Sequence, residues 1–164
     1  MERLKYIVLL TLLLPFFSSC DETDDITGIF TDKTWKLTEI FYEDGKLCLD
    51  YWTSEDLRLE SYKLKAEKGN FVLTFEGIDT DGAIKGNYAG RAVGVTLSGS
   101  WTADGESRVF STDQKTTTDK DVLGTAFIEG LSNAYAYKGD YDNLRIYFKR
   151  GTTKRYMLFH VEKQ

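Results

Sequence analysis

The residues able to perform acid–base or nucleophilic chemistry are few in this chain and are not grouped. His160 is the only histidine, and it alternates with Phe159 and Val161 in a strand-like segment. A serine triad needs a histidine held between a nucleophile and a carboxylate, and no nucleophile motif lies near His160. Cys48 alternates with apolar residues in "KLCLDYW", a pattern typical of a buried, inert thiol. The sequence therefore predicts no catalytic residue.

Metal sites are not predicted either. One histidine and one free cysteine make no zinc site without several carboxylates. The segments "DTDG" (Asp79–Gly82) and "GDYDN" (Gly139–Asn143) have alternate aspartates, as calcium loops do, but neither continues to the later ligands of an EF-hand. Hairpin turns explain both segments better, so we expect no metal and no cofactor. A carboxylate pair for glycoside hydrolysis is set in space rather than in sequence and stays open.

One pair of adjacent aromatic residues is a candidate ligand site. Tyr51 and Trp52 precede Thr53 and Ser54, and aromatic rings beside hydroxyls on a loop can stack against sugars. The alternative is that both rings cap the hydrophobic core. We therefore name Tyr51 and Trp52 as a candidate ligand platform.

The N-terminal segment has the pattern of a secretory signal peptide. Arg3 and Lys5 precede "YIVLLTLLLPFF", an apolar run of about a dozen residues that is short for a membrane span. The next residues, "FSSC", resemble the lipobox of bacterial lipoproteins, in which the cysteine is lipidated. We expect a signal peptide at residues 1–19 and lipid attachment at Cys20. An ordinary signal peptide beside an incidental cysteine is the alternative.

An acidic run, "DETDD", follows Cys20. With the residues up to 27, it is expected to form a solvated tether between the lipid and the domain. The run resembles the surface-export signal of Bacteroidota lipoproteins, whereas an aspartate there directs inner-membrane retention in other Gram-negative groups. Several acyl chains on one cysteine attach a protein stably. We therefore expect an outer-membrane lipoprotein at the cell surface, with a periplasm-facing protein as the alternative.

Length and charge limit the remaining possibilities. The chain has 164 residues and a net charge of −5, which argues against nucleic acid, since that binding depends on Lys and Arg neutralising phosphates. Removing residues 1–19 leaves 145, enough for one domain with a core. We expect a monomer with a single domain at residues 28–164. With Cys20 acylated, Cys48 has no partner for an intrachain disulfide.

Apolar alternation predicts an antiparallel, β-rich domain. The segment Thr34–Tyr42 is the clearest strand, and "LCLDYW" is expected to pair back onto it. Ser54 is expected to cap a short helix over "SEDLRLE". The segment "YKLKAEKGNFVLTFEG" predicts a hairpin that bends at Gly69–Asn70. Further strands are expected at residues 83–89 and 92–101 and in "RVFST", "AYAYKG", "NLRIYFKR" and "KRYMLFHVE".

A helix and a set of glycines complete the predicted architecture. Leu123, Phe127 and Leu131 recur every four residues, which predicts a helix at about 119–133, capped by Thr118 or Asp119. Glycines spaced by fours place missing side chains on one face of the strands, so the sheet can bend there: Gly82, Gly86, Gly90 and Gly94. The expected fold is β-rich α+β, a strongly curved antiparallel sheet of about eight or nine strands packed on one helix.

Several motifs together resemble the META/HslJ-like domain of bacterial envelope lipoproteins. They are "TWKLTEI", "FVLTFEG" before "GAIKGNYAGR", "FIEGLSNA" and "YAYKGDYDNLRIYF", in the family's order over residues 28–161. The chain is also similar to small uncharacterised lipoproteins of gut Bacteroidota with "FTxKTWKL". The family's "GCN" step is Gly86–Asn87 here, so its cysteine pair and any redox role are absent. The resemblance implies a compact β-rich domain with one helix and no catalytic residues; a lipocalin-like β-barrel is the alternative.

These observations rank three functions. The first is a non-catalytic, membrane-anchored envelope lipoprotein that binds a protein or a surface glycan, or contributes to envelope integrity. The alternative is a small-ligand carrier, since the many aromatic residues and a curved sheet could enclose an apolar pocket. An enzyme ranks third.

Overall fold

The structure is a computed structural model that describes residues 24–162, so the predicted signal peptide and Cys20 lie outside the described residues. The described part contains three helices and eight strands: α1 Ile26–Phe30, β1 Thr34–Tyr42, α2 Glu55–Ala66, β2 Val72–Thr80, β3 Ala83–Arg91, β4 Thr96–Asp104, β5 Phe110–Thr112, α3 Val122–Ser132, β6 Ala134–Gly139, β7 Asn143–Arg150 and β8 Thr153–Val161. Over residues 24–162, no helix is long and apolar enough to cross a membrane.

The eight strands form one antiparallel sheet in the order β5-β4-β3-β2-β1-β8-β7-β6. The two edge strands lie side by side, because an isolated bridge joins Val109, just before β5, to Ala136 of β6. A sheet whose edges approach each other in this way is strongly curved, as the sequence predicts. Apart from this bridge the ladder is not continuous, so the sheet is not closed and the lipocalin-like alternative is not adopted.

Two helices fill the concave face of the sheet. On α3, seven residues are buried, including Leu123, Phe127 and Leu131 of the predicted stripe. On α1, Phe30 is fully buried at the centre of an aromatic cluster, with ring centroids 4.7–5.5 Å from those of four neighbours: Phe75, Trp101, Phe110 and Tyr137. Large aromatic rings of this kind dominate the energetics of a core. This packing counts against the carrier alternative, which needs an apolar cavity on the concave face.

Glycines allow a close contact between β2, β3 and β4. Gly77 of β2 lies directly opposite Gly86 of β3, and Gly86 pairs in turn with Trp101 of β4. The indole of Trp101 donates to the carbonyl of Glu76, 3.0 Å away and two strands across. Since neither glycine has a side chain, the ring can cross β3 at this point. Gly82 and Gly94 lie outside the strands, in a turn and a loop, so only half of the predicted glycine series lines β3.

Helix α2 replaces the first half of the predicted hairpin. Its N-cap is Ser54, as predicted, and the Ser54 hydroxyl accepts from the backbone N–H of Leu57 at 3.3 Å. The helix continues to Ala66, so the segment from Tyr62 to Ala66 is helical and not a strand. Only Ser61 of α2 is fully buried. The helix lies on the surface without an apolar stripe, which is why its periodicity is not visible in the sequence.

Three further expectations are corrected. The segment "LCLDYW" is not a strand, since only Leu47 forms a bridge, with Phe41. Helix α3 is capped by Asp121, whose side chain accepts from the backbone N–H of Gly124; Asp119, one of the two predicted caps, accepts backbone N–H groups of residues 93–95 at 2.7–3.3 Å. Ile26 and Thr27, which the sequence assigns to the tether, begin helix α1, and Ile26 is fully buried.

Candidate functional site

The two residues of the predicted ligand platform, Tyr51 and Trp52, pack in and against the hydrophobic core. Tyr51 is 9% exposed, and the guanidinium groups of Arg150 and Arg155 each lie 4.9 Å from its ring centroid. Trp52 is half-buried and donates from its indole to the Ser61 hydroxyl at 2.8 Å. The two rings meet edge to face at 6.0 Å. Tyr51 is nearly buried, so Trp52 provides most of the exposed ring surface of this pair.

An ion pair between a buried arginine and a partly exposed aspartate lies next to Tyr51. Arg155 is 4% exposed and donates two hydrogen bonds to the carboxylate of Asp50, at 2.9 and 2.6 Å. These hydrogen bonds lower the pKa of Asp50.

The Cys48 thiol next to this pair is fully buried, and burial raises its pKa to about 11. A thiol held neutral in this way is a poor nucleophile, which agrees with the inert thiol that the sequence predicts.

The structure places the one histidine of the chain at the surface. His160 is exposed on the outer face of β8, and its Nδ1 lies 2.7 Å from the Thr38 hydroxyl. Within residues 24–162, no group of three or more His, Cys, Asp and Glu side chains is placed to hold a metal ion.

An open cleft of about 740 Å³ lies where β1 and β2 meet α1. Its lining combines charges of both signs with polar and apolar residues: Thr27, Lys33, Lys68, Phe75, Glu76, Val161 and Glu162 are among them. The ammonium of Lys33 is held by two carbonyl oxygens, those of Gly28 at 2.6 Å and Tyr141 at 3.0 Å. The cleft therefore does not provide the apolar pocket that a carrier of apolar molecules would need.

The outer face of the sheet has a row of aromatic side chains that crosses four neighbouring strands. We call these residues the tyrosine row: Tyr135 on β6, Tyr147 on β7, Tyr156 on β8 and Phe41 on β1. All four are half-buried, whereas their chain neighbours Ile146, Phe148 and Met157 are fully buried on the inner face. With strands about 4.8 Å apart, the row extends about 14 Å across the sheet.

Strand register brings the tyrosine row together. Tyr156 lies directly opposite Tyr147 on one side and Phe41 on the other. The ring centroids of Tyr156 and Phe41 are 5.2 Å apart with nearly parallel planes, and those of Tyr156 and Tyr147 are 5.5 Å apart. Tyr135 continues the row at 6.4 Å from Tyr147, and burial raises its pKa. The rings of Phe41 and Tyr156 are stacked, whereas the other two pairs of rings are tilted by 48°.

Four cations flank the tyrosine row, and we call them the flanking cations. Lys149 lies opposite Lys154 on one side of the row. Lys138 lies opposite Arg145 on the other side. Like charges directly opposite each other destabilise a sheet, so the chain has two unfavourable cross-strand pairs on one face although its net charge is −5.

The flanking cations are only partly neutralised. Lys154 pairs with Glu43 at 3.1 Å. Arg145 lies over the ring of Tyr156 at 5.3 Å, and Lys149 lies over Tyr135 at 5.6 Å. In residues 24–162, no carboxylate lies within ion-pair distance of Lys138, Arg145 or Lys149. The positive charge on this face is therefore available to an anionic group.

The sequence interpretation missed the tyrosine row, although one signal for it exists. In "NLRIYFKR" and "KRYMLFHVE" the polar and aromatic residues alternate with apolar residues. The two-residue turn Gly151–Thr152 sets Tyr147 opposite Tyr156, since Arg150 pairs with Thr153. The sequence does not show that β1 adds Phe41 to the row, because β1 and β8 are far apart in the chain and their pairing contains a bulge after Leu37.

Comparisons with known proteins point to one family. Residues 21–161 match the family model described as "Domain of unknown function (DUF4847)". Among solved structures, the chain is similar to the crystal structure of a DUF4847 family protein from Bacteroides vulgatus, with a TM-score of 0.60 and 26% identity over 85% of this chain and 99% of that one. No curated protein matches the chain. The matching model is different from the META/HslJ-like family that the motifs resemble.

Proposed function

The chain belongs to the DUF4847 family, and from this premise we propose that it is a non-catalytic, lipid-anchored module of the outer membrane that binds a partner through the tyrosine row. One observation carries the binding part of the proposal. Half-buried aromatic rings and unneutralised cations occupy the same outer face of the sheet. Tyrosine and arginine are among the residues that are enriched at protein interfaces.

The anchor and the location are supported by sequence. Residues 1–19 have the order of charges and apolar residues of a signal peptide, and Cys20 follows "FSS" as in a lipobox. The acidic run after Cys20 favours export to the cell surface. A monomer without a metal or cofactor is sufficient for this role.

The start of the fold limits how far the domain can move from such an anchor. The Asp24 carboxylate accepts hydrogen bonds from the Arg108 guanidinium at 3.1 and 3.3 Å. The Asp25 carboxylate accepts from Tyr141 at 2.6 Å and caps α1. Four residue steps separate Cys20 from Asp24, and they span at most about 14 Å when fully extended. We infer that the domain stays close to the membrane surface.

Crosslinking in cells tests the binding proposal. A benzophenone amino acid replaces Tyr147 in the tyrosine row, and a matched variant has it at Ile78 of β2, which is 77% exposed. We expect a discrete adduct from position 147 that is absent from position 78 and is lost when Arg145→Glu and Lys149→Glu are added. Equal adducts at both positions, or none, would contradict the proposal.

The anchor is tested separately. The Cys20→Ser variant is expected to leave the membrane fraction and to lose the acyl mass that mass spectrometry detects on the wild-type protein. Protease added to intact cells should digest the wild-type domain if it faces outwards. A wild-type protein without acyl mass would refute the anchor and leave the binding test unaffected.

A further inference from the structure

We propose that the tyrosine row and the flanking cations bind an extended acidic segment of a partner protein. This proposal rests on the proposed function and specifies the chemistry of its partner. The two unfavourable pairs, Lys149–Lys154 and Lys138–Arg145, are the observation that motivates it. A fold that needs only stability gains nothing from like charges opposite each other, whereas an anionic ligand that bridges each pair removes the repulsion.

The arrangement of the rings favours a protein segment over a glycan. A sugar ring stacks on an exposed aromatic face, but Phe41 and Tyr156 are stacked on each other with an interplanar angle of 21°. Arg145 also lies over the Tyr156 ring. The edges of these rings are suited to contacts with apolar side chains, and the cations beside them to carboxylates.

The size of the face favours a segment over a folded surface. Arg145 and Lys149 are four residues apart on β7, which separates the two cation pairs by about 13 Å along the strand. With a width of about 14 Å, the face is much smaller than the roughly 800 Å² per partner of a standard interface. An extended chain advances about 3.3 Å per residue, so its two acidic positions must also lie about four residues apart.

The predicted ligand pattern follows from this spacing. An acidic residue near Lys149 and Lys154 is followed, two residues later, by an apolar or aromatic residue over Tyr147 and Tyr156. A second acidic residue, two positions further on, lies near Lys138 and Arg145. Electrostatic steering contributes to such binding, which must therefore weaken with salt.

Fluorescence anisotropy with labelled peptides tests the proposal on the full-length chain in a non-ionic detergent. The probe is EEAFAEE, and the matched peptides are EEEEAFA, with the same composition in another spacing, and KKAFAKK. We expect EEAFAEE to bind, EEEEAFA to bind at least about fivefold more weakly and KKAFAKK not to bind. Raising the salt from about 50 to 500 mM should weaken the binding of EEAFAEE about tenfold or more, because the Debye length falls to a few ångströms.

Charge reversal separates binding from folding. The double variant Arg145→Glu/Lys149→Glu should bind EEAFAEE at least about tenfold more weakly, while its melting temperature is no lower than that of the wild type because each reversal creates an opposite-charge pair across strands. The control Lys115→Glu/Lys120→Glu changes the net charge equally, outside the tyrosine row, and should retain binding.

Three results would overturn the proposal: no binding of EEAFAEE, equal loss of binding in the control variant, or binding of polygalacturonate in place of the peptide. The last result would make the partner an anionic glycan. A cellular adduct at position 147 without peptide binding would reject the acidic segment and retain the proposed function.

Discussion

Replacing Gly86 by alanine tests the packing that bends the sheet. A Cβ atom at Gly86 would overlap the carbonyl oxygen of Glu76 and would lie 2.5 Å from the Cα of Gly77. Ordinary contacts between carbon atoms are about 3.5–4.0 Å, so the backbones of β2 and β3 must separate by roughly 1 Å. No flexible side chain can absorb this displacement, since both neighbours are backbone atoms.

We expect this one added methyl group to lower the free energy of unfolding substantially. Overpacking costs about 1–3 kcal/mol where the surroundings adjust. Here the adjustment also breaks the hydrogen bond from Trp101 to the Glu76 carbonyl and weakens the ladder next to it, at about 1 kcal/mol for each bond. We expect Gly86→Ala to lower the free energy of unfolding by about 3–5 kcal/mol, a large part of the 5–15 kcal/mol of an ordinary domain.

Urea unfolding followed by tryptophan fluorescence measures this loss, and calorimetry should show a melting temperature lower by about 10–15 °C. The matched control is Gly94→Ala, whose added Cβ would meet the flexible side chain of Lys120 at 3.2 Å. Both substitutions restrict the unfolded chain in the same way, so their difference reports on the folded state. If Gly86→Ala is within about 1 kcal/mol of the control, the proposed backbone clash is wrong.

Three further predictions concern the interior. The Arg155 guanidinium lowers the pKa of Asp50, so the pair adds stability above the unfolded pKa of about 3.9 and loses it as the pH falls through the lowered folded pKa. Asp50→Asn should therefore lose about 1 kcal/mol at pH 7, discounted because Asp50 is 44% exposed. A difference in urea unfolding that does not shrink as the pH is lowered below about 3.9 would contradict this. The buried Cys48 thiol should resist alkylation by iodoacetamide at pH 8 in the folded protein and react only when urea unfolds the chain. Mass spectrometry measures the alkylated fraction. Rapid alkylation of the folded protein would show that the thiol is accessible. Phe30→Ala should cost about 3–5 kcal/mol by opening a cavity in the aromatic cluster, measured by urea unfolding, and a loss below about 1 kcal/mol would mean that the cluster collapses around it.

The parts of the fold that the sequence predicts are those in which apolar and polar residues alternate along a strand or recur with the helical period. Strand β1 has the predicted bounds, and β6, β7 and β8 follow their alternating segments, because each has one face in the core and one in solvent. Helix α3 is predicted by Leu123, Phe127 and Leu131, since its buried stripe has the helical period. Strand β4 begins at Thr96, four residues later than predicted, because Ala92 to Val95 form a loop held by Asp119.

The elements that the sequence predicts wrongly or misses also have specific physical explanations. Tyr62, Leu64 and Ala66 alternate with lysines like a strand, but they belong to a surface helix that is held by Ser61 and by Lys65, which donates to Glu39 at 2.9 Å. Helix α1 has five residues, too few to show a period. The tyrosine row depends on the pairing of β1 with β8, and no local pattern encodes a contact between strands that are more than a hundred residues apart.

The meeting of the two sheet edges has a consequence for how any protein can approach this one. An unpaired edge is a template for another strand, and it is the usual route both to aggregation and to recognition by strand addition. Here the backbone N–H of Tyr137 on β6 donates to the carbonyl of Arg108, which precedes β5, at 3.0 Å. At this point each edge blocks the access of a foreign strand to the other. An extended segment that binds this domain must lie flat across its side chains, and selectivity must come from charge and shape rather than from shared backbone hydrogen bonds.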